Sequence, residues 1–108
     1  MDANIPFIDK IIQIIVTLAS PDQIILFGSY ARGNQTEKSD LDLLIVKKSL
    51  KNGREISSSI YRAFFENEIG IPVDLLTVDY NRYQEISNEI GYVYKTIKNE
   101  GIVIYAAA

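Results

Sequence analysis

Short apolar runs alternate with segments of helical period along the whole chain of 108 residues, and this alternation restricts the fold more than any other feature. Runs rich in aliphatic and β-branched residues predict strands over Gln23–Phe27, Asp40–Val46 and Pro72–Val78. A last apolar run, Ile102–Tyr105, is expected to form a short strand or a tail. A polar loop with one helical turn near Tyr30–Arg32 is expected between the first two strands.

Four other segments have apolar residues at the spacing of amphipathic helices. They are Pro6–Ala19, Lys51–Asn67, a helix capped by Asp79 and running to about Glu89, and Ile90–Asn99. Helices alternating with a few short strands predict an α/β or α+β sandwich built on a small sheet. The length suits one domain, expected over residues 1–105, and the three alanines at 106–108 resemble a cloning or tag remnant.

The chain contains no Cys and no His. This excludes thiol nucleophiles, disulfides, structural zinc sites and catalytic histidines. Any chemistry must therefore use Asp, Glu, Lys, Tyr, Ser or backbone groups. Any metal must be a hard cation held by oxygen, such as Mg²⁺.

The net charge is −3, from 11 Lys and Arg against 14 Asp and Glu. This balance argues against a protein that binds nucleic acid through a broad basic surface. No apolar run reaches the roughly 18 residues that a membrane-spanning helix needs. Residues 1–4 carry no basic segment of the kind that opens a signal peptide, so the expected location is the cytoplasm.

Asp40 and Asp42 stand two residues apart at the start of the second predicted strand. Alternate residues of a strand share a face, so the two carboxylates project together while Leu41 and Leu43 point to the opposite face. Two like charges this close repel each other, and a divalent cation would replace the repulsion with attraction. The pair therefore favours a Mg²⁺–nucleotide site.

Gly28 and Ser29 follow directly after the first predicted strand. A glycine lets the backbone approach a phosphate closely, and the hydroxyl of Ser29 can donate to phosphate oxygens. Arg32 is near enough in sequence to add a charged contact to a triphosphate. Asp74 interrupts the third apolar run, and it can face the same cations if that strand lies beside the second.

Each of these features alone also has a structural explanation. An Asp-x-Asp at a strand start can be a turn and cap, Gly-Ser a turn, and a strand Asp a residue of a solvated edge. Gly28 and Gly33 have P-loop spacing, but Asn34 and Gln35 stand where a P-loop has Lys and Ser or Thr. The combination of Gly-Ser, ten residues and Asp-x-Asp, in the order strand, loop, strand, is what favours a phosphate site.

These residues resemble a known family. Phe27–Gly33, followed by Ser39–Val46, closely resembles the nucleotidyltransferase domains of the polymerase β superfamily, and the small size resembles its minimal nucleotidyltransferase (MNT) branch. The resemblance implies a small mixed β-sheet flanked by helices. It also implies transfer of AMP from ATP to a hydroxyl, with two Mg²⁺ ions as the expected cofactor.

The same resemblance assigns roles to single residues. Asp40 and Asp42 would bind the metal ions, and Asp74 would bind the second ion and activate the acceptor. Gly28 and Ser29 would hold the β- and γ-phosphates, with Arg32 as a helper.

Many stand-alone MNT proteins are antitoxins that attach AMP to a tyrosine of a HEPN ribonuclease toxin, so a HEPN-type partner is expected here. Two alternatives stay open: a non-catalytic antitoxin that neutralises its partner by binding, and an adenylyltransferase acting on a small molecule such as an aminoglycoside. A homo-oligomer is a further possibility. Partners of the membrane or nucleic-acid class are not expected.

Overall fold

Nine helices and strands make up the part of the chain that the computed structural model describes, residues 5–89 and 93–108. In chain order they are α1 (Ile8–Ala19), β1 (Gln23–Phe27), α2 (Ser29–Arg32), β2 (Leu41–Lys47), α3 (Gly53–Glu66), β3 (Val73–Asp79), α4 (Tyr80–Ile86), α5 (Val93–Glu100) and β4 (Ile102–Ala106). None of these helices is long and apolar enough to cross a membrane.

The four strands form one mixed sheet in the order β3-β2-β1-β4. β1 is antiparallel to both β2 and β4, whereas β2 and β3 run parallel and are connected through α3. The expected small mixed sheet flanked by helices is confirmed. The last apolar run is a strand and not a tail, because it pairs with β1 along the sheet edge.

Each face of the sheet has its own hydrophobic cluster. On one face, Leu41, Leu43 and Ile45 of β2 pack with α1 and α3, and on the other face Leu44 and Val46 pack with α4 and α5. Because β2 is buried on both faces, its apolar run is continuous and does not alternate with polar residues. This burial fixes β2 in the middle of the sheet, where only Asp42 and Lys47 are partly exposed.

Several predicted boundaries are wrong by a few residues, and the backbone shows why. The first helix begins at Ile8 and not at Pro6, because Phe7 has a left-handed φ of 63°. The third begins at Gly53 and not at Lys51, because Asn52 has φ 56°. The fourth ends at Ile86, before the expected Glu89.

Two predictions concern the end of the chain. The expected start of the last helix at Ile90 lies outside the described residues, and the described helix runs over Val93–Glu100. Ala106 is the last residue of β4, and the Ala107 N–H donates to the Asp22 carbonyl at 2.9 Å. The last strand is therefore one residue longer than the predicted run Ile102–Tyr105.

Asp79 caps α4, as predicted, and also fixes a second segment. Its carboxylate accepts hydrogen bonds from the N–H groups of Asn81 at 3.1 Å and Arg82 at 3.3 Å. It also accepts one at 3.1 Å from the N–H of Leu50, in the loop after β2. These backbone donors, Leu50 first among them, lower the pKa of Asp79 from its ordinary value of 3.8.

Replacing this cap should destabilise the protein in a pH-dependent way. A lowered folded-state pKa means that the carboxylate contributes stability above pH 3.8, and that this contribution is lost as the pH falls through the folded-state pKa. Asp79→Ala should therefore lower Tm at pH 7 by roughly 5 °C. Thermal unfolding followed by circular dichroism at several pH values checks this, and a Tm difference that stays constant down to pH 3 would contradict it.

Candidate active site

Asp42 and Asp74 occupy neighbouring positions on two adjacent parallel strands. The register of β2 and β3 pairs Asp42 directly with Asp74. Strands in a sheet lie about 4.8 Å apart, and in-register residues of parallel strands point to the same face. The condition set in the sequence analysis, that the third strand lies beside the second, is met, so Asp74 can face the same space as Asp42.

Asp40 lies just outside the sheet. The expected strand start at Asp40 is wrong by one residue, because the pairing with β3 begins at Leu41, whose N–H donates to the Pro72 carbonyl at 2.9 Å. Asp40 and Asp74 are exposed, and Asp42 between them is half-buried. The three carboxylates thus lie at the open N-terminal end of β2 and β3.

The surroundings of Asp42 disfavour its ionised form. Burial is the largest cause, followed by the negative charges of Asp74 and then Asp40, and together they raise the pKa of Asp42 above 3.8. The positive charge of Arg32 acts in the opposite direction and lowers this pKa. The repulsion expected from the sequence therefore contributes, after burial, to the raised pKa of Asp42.

Gly28 gives Asp42 the room that its carboxylate occupies. Its backbone has φ 75° and ψ −154°, a region that residues with a Cβ essentially do not enter. A Cβ at this position would overlap Oδ2 of Asp42 and lie 3.1 Å from its Cγ. Gly28 is thus required for the close approach of the loop to β2.

Ser29 and Arg32 are the first and last residues of α2, which confirms the expected helical turn after β1. Ser29 is half-buried, directly after Gly28. The guanidinium of Arg32 is exposed and lies 3.8 Å from the carboxylate of Glu100 at the end of α5. Nothing in the sequence indicates this ion pair, because its two members are far apart in the chain.

The carboxylates have the chemistry of a magnesium site, although their side chains do not yet enclose one. Among the described residues, no three His, Cys, Asp or Glu side chains form a group that could hold a metal ion as they stand. The donor set nevertheless fits Mg²⁺, because it offers only hard oxygen ligands. After burial, the negative charges of Asp74 and Asp40 raise the pKa of Asp42, and a bound cation would offset this repulsion. Asp40, Asp42 and Asp74 are the residues that would hold the ion.

Asp40 and Asp74 are exposed to solvent at this end of the sheet. One depression found in the described ranges lies between α1 and α3, on the opposite face of the sheet, where Ile14, Leu18 and Ala63 line it. A second one lies near β4, lined in part by Lys48 and Tyr80. Neither includes Asp40, Asp42 or Asp74.

Comparisons with known proteins agree on one family. The family model described as "Nucleotidyltransferase domain" matches residues 8–104. A protein of Methanocaldococcus jannaschii named "putative protein adenylyltransferase" is 38% identical over 76 residues, which cover 66% of this chain and 73% of the relative. A second protein with that name from the same organism is 75% identical, but over 24 residues that cover only 24% of its length.

Solved structures show the same fold. A crystal structure titled as a putative nucleotidyltransferase from Sulfolobus solfataricus superposes with a TM-score of 0.60 at 21% identity, covering 90% of this chain and 75% of that one. A crystal structure of a toxin–antitoxin with AMP-PNP superposes with a TM-score of 0.55 at 22% identity, covering 92% of this chain and 73% of that one.

Substituting Gly28 should disturb the site far more than substituting Gly33. Both glycines have a positive φ, 75° and 77°, but a Cβ on Gly33 would meet nothing within 4 Å. Gly33→Ala should cost about 1 kcal/mol for the left-handed backbone alone. Gly28→Ala adds the overlap with Asp42 and should cost about 3 kcal/mol. Urea unfolding of both variants checks this, and equal costs would contradict the role of Gly28.

Neutralising Asp42 should stabilise the metal-free protein. Because its folded-state pKa is raised, the ionised carboxylate is a cost that is absent below pH 3.8 and appears as the pH rises through the folded-state pKa. Asp42→Asn should therefore raise Tm at pH 7, and the gain should shrink towards pH 3.8. Thermal unfolding in EDTA measures this.

Magnesium should also stabilise the protein, but only while the carboxylates are present. MgCl₂ should raise the Tm of the wild type, because it binds the folded state, and leave that of the Asp40→Asn/Asp42→Asn variant unchanged. Equal shifts in both proteins would show that the ion binds elsewhere.

Proposed function

The chain belongs to the nucleotidyltransferase domain family, and from this premise we propose that it transfers AMP from ATP to a hydroxyl group of a partner protein. The observation that carries the proposal is the register of β2 and β3, which sets Asp42 beside Asp74 next to the Gly28–Ser29 turn. One relative, covered over 73% of its length, is named a putative protein adenylyltransferase. This name supports AMP as the transferred group and a protein as the acceptor.

The site residues have separate roles in binding the triphosphate and Mg²⁺. Gly28 and Ser29 hold the β- and γ-phosphates, because the glycine backbone can approach them and the hydroxyl can donate to them. Arg32 leaves its exposed pair with Glu100 to add positive charge beside the triphosphate. Asp40, Asp42 and Asp74 hold Mg²⁺, which when bound supplies positive charge to the reacting phosphate.

The reaction is an in-line displacement. The acceptor oxygen forms a bond to the α-phosphorus while the bond from this phosphorus to the bridging oxygen of the β-phosphate breaks, and pyrophosphate leaves. The proton of the acceptor hydroxyl passes to the carboxylate of Asp74, at the exposed side of the site. Asp74 can serve this role because solvent-exposed β3 places it where an acceptor can approach.

The acceptor is a tyrosine of a HEPN-type toxin, and the chain is the antitoxin. A solved toxin–antitoxin structure that contains AMP-PNP shares the fold and supports this assignment. The openness of the carboxylate end of the sheet also supports it, because a partner's surface can complete a site that the chain leaves open.

Co-expression with the product of the neighbouring gene tests the proposal. The wild type should increase the intact mass of that protein by whole AMP units, and the Asp40→Asn/Asp42→Asn variant should leave it unchanged. Tandem mass spectrometry then gives the modified residue. Asp74→Asn should reduce the rate of modification by about a hundredfold or more, as expected for loss of a catalytic base.

The other outcomes separate the alternatives. An unmodified neighbour that still co-purifies would favour neutralisation by binding. An unmodified neighbour that does not bind, together with turnover on aminoglycosides, would favour a small-molecule acceptor. Either outcome overturns protein modification.

A further inference from the structure

We propose that the outer edge of β3 is the docking surface for the acceptor, which binds as an extended segment and adds a fifth strand beside Asp74. This inference rests on the proposed function and goes further, because it specifies the conformation in which the acceptor is recognised. Four observations carry it: the position of β3 in the sheet, the direction of its backbone groups, the contact of Tyr61, and the exposed apolar side chains beside it.

β3 is an edge strand, and its backbone groups alternate in direction. Among the strands of residues 5–89 and 93–108, β3 has β2 as its single neighbour. The Leu41 N–H donates to the Pro72 carbonyl, so the groups of Pro72, Asp74, Leu76 and Val78 face β2. The groups of Val73, Leu75 and Thr77 therefore face outward. An outward row of donors and acceptors is a template for pairing with another chain.

Tyr61 confirms the outward direction of this row. The Leu75 N–H, in the middle of β3, donates to the phenolic oxygen of Tyr61 on α3 at 2.8 Å. The side chain of Tyr61 is exposed at 40%, and the hydrogen bond itself is accessible to solvent. A side chain, unlike a paired strand, can rotate away, so Tyr61 acts as a removable cap on the donor that an incoming strand would use.

Large apolar side chains are exposed both on β3 and on the helix that carries Tyr61. Leu76, exposed at 37%, shares its sheet face with Asp74, and Phe65, exposed at 87%, lies one helical turn from Tyr61 on α3. A pairing strand sends alternate side chains to the two faces of the sheet, so it can contact both. Exposed apolar groups flanking unpaired backbone groups favour a polypeptide occupant over a small polar molecule.

Strand pairing with β3 would also place the acceptor hydroxyl beside Asp74. A strand paired with β3 lies about 4.8 Å from it, and its residue opposite Asp74 points to the same face as the carboxylate. A hydroxyl side chain at this register position is presented to the residue proposed to take its proton. Since β3 carries Asp74 and the chain has a net charge of −3, the segment that fits is neutral or basic.

The test uses the neighbouring protein and its modified residue. A synthetic peptide spanning that residue is prepared with single backbone N-methyl groups, moved along one position at a time. Strand addition predicts that N-methylation raises KM at every second residue, by about tenfold, and has little effect at the residues between, because only alternate N–H groups face β3. A uniform or irregular pattern would overturn the proposal.

Variants of the full chain provide the second arm. Thr77→Pro removes an outward N–H without touching the ladder to β2, and Thr77→Val keeps the N–H while removing the hydroxyl. Thr77→Pro should raise KM for the peptide about tenfold with Tm and ATP binding retained, whereas Thr77→Val should match the wild type. Equal KM values for the two variants would overturn the proposal, and the peptide series decides the matter if Thr77→Pro does not fold.

Failure of the proposed function gives a different result. If the wild type transfers no AMP to the neighbouring protein, both the function and this inference are overturned. If modification is robust but insensitive to the N-methyl groups and to Thr77→Pro, the function stands and the acceptor docks elsewhere.

Discussion

Repulsion between Asp42 and Asp74 is the interaction that the rest of the sheet has to overcome. The register that sets them side by side continues along β3 from the Leu41–Val73 pair to the Lys47–Asp79 pair. Leu43, Leu44, Ile45 and Val46 are fully buried within it. Burial of one such side chain contributes about 2 kcal/mol, so the four together contribute about 8 kcal/mol. Two charges about 5 Å apart near a protein surface repel by roughly 3 kcal/mol. Burial of the apolar residues therefore fixes the register, although this register brings the two carboxylates together.

The other parts of the site are arranged around this pair. The backbone of Gly28 passes so close to Asp42 that only a residue without a side chain fits, and α2 follows at once, with Arg32 moderating the charge on Asp42. Asp79, at the far end of β3, ties the loop after β2 to the start of α4. The two ends of β3 thus have opposite electrostatic characters: at one end a carboxylate meets like charges, and at the other a carboxylate is satisfied by backbone donors.

The sequence predicted the elements of this fold well, because each depends on local pattern. Continuous apolar runs indicated β1, β2 and β3, and the capping role of Asp79 followed from its place before a helical segment. Boundaries were less predictable, since left-handed residues such as Phe7 and Asn52 leave no clear mark in the sequence. Pairing was predictable only as a condition: Asp74 could face Asp42 if the strands were neighbours, and their register depends on long-range packing. The Arg32–Glu100 pair and the Tyr61–Leu75 hydrogen bond join distant segments, and no local pattern indicates either.

The raised pKa of Asp42 has a consequence for how such a chain can change over generations. Because burial and neighbouring charges disfavour the ionised form of Asp42, replacing it with a neutral side chain should stabilise the protein. A related protein that needed only its binding surface could accept this replacement without losing function. Asp40, Asp42 and Asp74 are all present here, together with Gly28, whose backbone conformation disfavours any other residue. A chain that uses a carboxylate at this position therefore keeps it at some expense of its own stability.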